Sequence, residues 1–196
     1  MQSKSIIING LWLFLFLFSS FALASNHIII YGTTEKFGEI IQLKRYLEKN
    51  RLKVSLYTKV DQLDRHMENL NRMNNSNASF LIGLNMEVGE KEEFFIAVPD
   101  TKGLSQTPQG RFYFLEEVPG IYEKENEELA MAIASPFNAR IKTLPLFYAV
   151  GLNMPCIFIS MTVKKENVNF AFERLYSGIQ SYLTRGEGNE RQRKTK

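Results

Sequence analysis

Short apolar runs alternate with amphipathic stretches along most of this chain, and that alternation constrains its fold more than any other feature. His27-Ile-Ile-Ile-Tyr31 is closed by Gly32 and reads as a buried strand. From Glu35 to Asn50, Phe37, Ile40, Ile41, Leu43 and Leu47 recur on one face among Lys, Glu and Arg, the pattern of an amphipathic helix. Lys53–Thr58 reads as a second strand, and Asp61 to about Asn74 as a second helix, with Leu63, Met67 and Leu70 at helical spacing. Ala78–Leu84 and Glu93–Val98 are a third and fourth strand, Glu123–Ala134 a helix, and Leu146–Val150 and Cys156–Met161 two further strands. Val168, Phe172, Leu175, Tyr176, Ile179, Tyr182 and Leu183 form the stripe of a last helix. Strands alternating with helices predict a three-layer α/β domain with a mainly parallel sheet flanked by helices. The stretch Pro99–Gly120, rich in Gly, Pro, Gln and Thr, breaks the rhythm. It is expected to be a long surface excursion with one strand at Arg111–Leu115.

The two ends differ from this body. Lys4 is the only charge before His27, Leu11–Phe18 is wholly apolar, and Ala22-Leu23-Ala24 supplies a cleavage signal. Residues 1–24 therefore read as a secretory signal peptide. The alternative, an uncleaved anchor, is disfavoured because the apolar run is well short of the roughly 20 residues a spanning helix needs. Any membrane contact is expected only through that segment if it stays uncleaved. The remaining residues suit a single domain over 25–184 with one core. Arg185–Lys196 is a basic segment expected to be a disordered tail. Without the leader's lysine and this tail the body is near neutral, so no nucleic-acid partner is expected. Cys156 is the only cysteine, so no internal disulfide is available in an oxidising compartment.

In an open α/β sheet, ligands bind outside the C-terminal ends of the strands. Few groups there suit catalysis. A catalytic zinc takes about three nitrogen, oxygen or sulfur ligands and an open position for water, yet the chain has only two histidines. His27 starts the first strand, at the wrong end, and His66 lies in the second helix. Cys156 starts its strand and reads as a small core residue. Ser160 is better placed but has no histidine base beside it, and an unactivated serine is a poor nucleophile. Cleavage after Ala24 would expose Ser25-Asn26-His27, which can chelate copper(II) or nickel(II) in square-planar geometry if His27 leaves its strand.

Three segments resemble the zinc-dependent N-acetylmuramoyl-L-alanine amidases that cut bacterial cell wall. Lys53–Asp61 (KVSLYTKVD) is similar to that family's strand ending in a Leu-Thr-Arg-x-x-Asp motif, and Ala78–Glu87 (ASFLIGLNME) to its A-D-L-F-I-S-I-H-A-N strand. Leu144–Leu183, with MPCIFISMTV inside it, resembles the family's ending of strand, M-P-A-V-L-V-E-x-G-F, then helix. Glu127-Glu-Leu-Ala130 also matches the family's S-x-x-L-A helix start. The resemblance implies an amidase-like sheet. It also implies a zinc site that this chain has largely lost. Tyr31-Gly-Thr-Thr34 stands where the family has a histidine-bearing G-H-G-G loop. Glu35-Lys36 retains the pair whose glutamate is a ligand. Asn85 falls on a ligand histidine, and Ser160 on the catalytic glutamate.

These substitutions point to a non-catalytic, exported amidase-fold protein of a bacterial envelope, periplasmic or extracellular. Its remnant groove of Glu35, Asn85, Glu87 and Ser160 would bind peptidoglycan or a cell-wall enzyme, with no catalytic residue and no cofactor. Two alternatives remain open at this stage. One is an active hydrolase whose zinc site is rebuilt from Glu35, Glu87 and His66. The other is a regulatory or assembly partner of a cell-wall hydrolase, making contact through Pro99–Gly120 or the basic tail.

Overall fold

The computed structural model describes residues 26–34, 37–101 and 118–194, with the backbone alone at 119 and 186–194. The leader, the Glu35-Lys36 pair and the strand expected at Arg111–Leu115 lie outside the described residues. Six strands form one sheet: β1 (His27–Gly32), β2 (Lys53–Thr58), β3 (Phe80–Val88), β4 (Glu93–Pro99), β5 (Arg140–Leu144) and β6 (Cys156–Val163), in the spatial order β2-β1-β3-β6-β4-β5. β2, β1, β3 and β6 are mutually parallel. β4 pairs antiparallel with β6 and parallel with β5, so β4 and β5 run opposite to the other four.

Among the described residues four helices longer than one turn flank the sheet: α1 (Gly38–Lys49), α2 (Leu63–Asn74), α3 (Glu123–Phe137) and α4 (Val168–Lys194). α1 buries Ile40, Leu43 and Leu47 and ends at Asn50, whose side chain caps the Tyr46 carbonyl at 2.8 Å. α3 ends at Asn138, which adopts the left-handed conformation (φ 51°) that asparagine tolerates. α4 is helical through Lys194, where an unstructured tail was expected from Arg185.

Alternation within the strands sends side chains to two unequal layers. Ile28, Ile30, Phe80, Ile82, Leu84, Ile157 and Ile159 face α1, α3 and α4 in the main core. Each such fully buried side chain contributes about 1.5–3 kcal/mol by leaving water. Ile29, Tyr31, Leu81 and Cys156 face a thinner layer made by Leu70 and Met73 of α2 and by the irregular segment from Leu146 to Met154. β3 is buried on both faces from Phe80 to Leu84, as expected of a central parallel strand.

The elements differ from the sequence reading in several places. β3 continues through Val88 instead of ending at Leu84, because β6 pairs with it as far as Val88↔Val163. Leu146–Val150 is not a strand. It is an irregular segment with a 3-10 turn at Phe147–Ala149, lying between Pro145 and Pro155. The strand in this region is instead Arg140–Leu144, an exposed edge whose charges at Arg140 and Lys142 discourage pairing with another chain.

Candidate functional site

Among the described residues the thin layer packs on part of its sheet face, and the expected groove residues lie beyond it. Strand register arranges that face in rows. Tyr31, Gly83 and Phe158 are aligned across β1, β3 and β6. One pleat further on, Asn85 of β3 is the partner of Ser160 of β6, which is in turn opposite Phe95 of β4. In the next row Thr162 of β6 lies between Glu87 and Glu93. Asn85 and Ser160 are half-buried and Glu87 is exposed. Adjacent strands are about 4.8 Å apart, so the amide and the hydroxyl stand side by side. Glu87 and Glu93 are separated by two such spacings, roughly 10 Å.

Three of the four expected groove residues are thus in the C-terminal halves of β3 and β6, Asn85 and Ser160 as direct partners inside the ladder and Glu87 one row beyond. The fourth, Glu35, lies outside the described residues. Further residues of this face were not anticipated. Phe95 and Phe158 lie with ring centroids 6.1 Å apart, and the Lys142 ammonium sits 4.0 Å over the Phe95 ring. Tyr148 lies flat against Gly83, where a side chain would collide with its hydroxyl. Its ring stacks on Tyr31 at 5.3 Å and its hydroxyl donates to the Ile157 carbonyl at 3.1 Å. Burial, with Cys156 and Tyr31 adding to it, raises its pKa well above that of an ordinary phenol, so it remains a donor. The available signal was a glycine inside an otherwise apolar strand, which often marks a close approach by another group.

Zinc is held by thiolate, imidazole or carboxylate, whereas Asn85 and Ser160 are an amide and an alcohol. Among the described residues no three His, Cys, Asp or Glu side chains are grouped to hold a metal. The two described members of the rebuilt set point to different places. His66 lines a cavity between α2 and the 144–148 segment, whereas Glu87 is in the row of Thr162 and Glu93.

The remaining candidates have structural roles. His27 is buried and its Nδ1 lies 3.0 Å from the Ser76 carbonyl, which requires the proton on that nitrogen. Nε2 then accepts from the Ser55 hydroxyl at 2.9 Å. Burial, aided by nearby Lys53, holds the ring below its usual pKa. With both nitrogens engaged and its backbone paired to Lys53, His27 does not fit the square-planar metal site considered from the sequence. Cys156 is a core residue, as expected, and burial pushes its thiol up to about 12. Its backbone N–H donates to the Asn126 side-chain oxygen at 2.7 Å.

No family model matches the sequence, and no curated protein does. Among solved structures, the chain is similar to the apo form of the N-acetylmuramyl-L-alanine amidase Ami1 from Mycobacterium abscessus. The TM-score is 0.54 at 8% identity, over 81% of this chain and 99% of that one. The N-acetylmuramoyl-L-alanine amidase AmiC2 of Nostoc punctiforme gives 0.46 at 13% identity, over 81% of this chain and 98% of that one, and adds no argument of its own. The six-stranded, mostly parallel sheet and its four helices are therefore an amidase fold.

Proposed function

We propose that this is an exported protein of a bacterial cell envelope that uses the amidase fold to bind peptidoglycan without cutting it. The observation that supports the reading is the in-register pair Asn85–Ser160. The family resemblance puts a ligand histidine and the catalytic glutamate at these two positions. An amide and a hydroxyl hydrogen-bond readily to sugars and peptides. Neither can take the proton from a metal-bound water, the step that makes a hydroxide near neutral pH. On this reading the protein works in the periplasm or outside the cell after removal of residues 1–24, without a resident metal. Asn85, Ser160 and Glu87 supply the polar contacts, and Phe95 and Phe158 the apolar ones.

Co-sedimentation with purified cell wall tests the proposal. The full chain is expected to pellet with wall material above an unrelated control protein. The double variant Asn85→Ala/Ser160→Ala is expected to lose most of that enrichment, since each substitution removes a hydrogen bond worth about 1 kcal/mol. Equal sedimentation of protein and control refutes wall binding. A stoichiometric zinc retained through purification, with release of peptide from glycan, refutes the non-catalytic half.

A further inference from the structure

Beside the candidate groove, on the same sheet face, lies a cavity of about 660 Å³. Its floor is aromatic, made by Tyr31 and Phe158 of the sheet and by Tyr148. Phe147 and Leu63, which also line it, are 81% and 73% exposed, the two most exposed large apolar side chains among the described residues. Such side chains scattered singly need no explanation, but two at one concave site mark a surface that something covers. The cavity is asymmetric in charge. Lys59 and His66 line it, and among the described residues no carboxylate does. Nor does Lys59 take part in an ion pair among those residues.

We infer that this cavity binds a small amphiphile, an apolar chain with a single negative charge, its body against Tyr31, Tyr148 and Phe158 and its head at Lys59. The volume lies in the range that encloses a drug-sized ligand. A second copy of the chain is the poorer occupant, because two-fold pairing through this face would bring two Lys59 ammonium groups into one interface. The cavity shares Phe158 with the proposed wall-binding groove, but the polar residues that carry that proposal, Asn85, Glu87 and Ser160, do not line it, so the two tests can fail separately.

The test is a titration of the isotope-labelled full chain with laurate below its micelle concentration, followed by NMR. Dodecyltrimethylammonium, a twelve-carbon chain with the opposite charge, is the control. Laurate is expected to saturate one site, with shifts at Lys59, Leu63 and Phe147, and the cationic amphiphile to give no saturable response there. Lys59→Glu is expected to weaken laurate about tenfold by losing a charge-assisted contact, and Phe147→Ser to weaken it as well. Both positions are exposed, so the variants are expected to keep the fold. The inference fails if laurate does not saturate, if both head groups bind alike, or if Lys59→Glu leaves the affinity unchanged. It also fails if the protein forms a dimer that Phe147→Ser dissolves and laurate cannot displace. That result would assign the face to a second copy.

Discussion

At the scale of single residues, His27 and the cysteine serve the fold. His27 has a lowered pKa in the folded state, so the unfolded chain binds a proton at a pH where the native imidazole does not. Its contribution is therefore complete above the ordinary histidine value of 6.5 and is lost as pH falls below it. Unfolding free energies between pH 7.5 and 5.5 are expected to decline with acid, by no more than about 1.4 kcal/mol per pH unit from this group. His27→Gln is expected to be less stable at pH 7.5 and to show a shallower decline. A variant with an unchanged slope would remove His27 from the account. Because burial raises the Cys156 thiol to about 12, native protein at pH 8 is expected to resist a thiol-reactive dye that labels the denatured chain promptly. The placements of Asn85 and Ser160 were legible because each lies near the end of a recognisable strand. The role of Tyr148 was not, because Leu146–Val150 is as apolar and aromatic as a strand, and nothing local distinguishes it from one.

Among the elements, helix and strand patterns were legible wherever one face meets the core, as in α1 and α4, whose apolar stripes recur with helical period. β5 was not legible, because two of the five residues of RIKTL are charged and its only strand partner among the described residues is β4, so no apolar period marks it. α4 crosses α3 closely at Gly178, where an added Cβ would lie 2.7 Å from the Ile133 Cα and 3.0 Å from the Ala132 carbonyl oxygen. Both obstacles are backbone, so relief requires the two helices to move apart. Gly178→Ala is expected to cost about 1–3 kcal/mol, the usual range for overpacking, despite alanine's higher helix propensity. Urea denaturation measures this, and a neutral or stabilising result would mean that the helices separate freely.

For the whole molecule, one apolar cluster draws residues from five strands and from α1, α3 and α4. Thermal unfolding followed by far-ultraviolet and near-ultraviolet circular dichroism is therefore expected to give one coincident transition. An earlier near-ultraviolet step would mean that the thin layer bearing Tyr148 melts separately. Strand–helix alternation was enough to read the α/β class from the sequence. The reversal of β4 and β5 was not readable, because antiparallel pairing leaves no periodic mark distinct from parallel pairing. The ladder that carries β3 and β6 on to Val88 and Val163 has a practical consequence. Positions 85 and 160 are anchored in regular sheet rather than on loops, so their spacing is inherited from the backbone and survives exchange of the side chains. Exchanges at 85 and 160, to histidine and glutamate for instance, can therefore be made as plain point changes that leave the sheet in place.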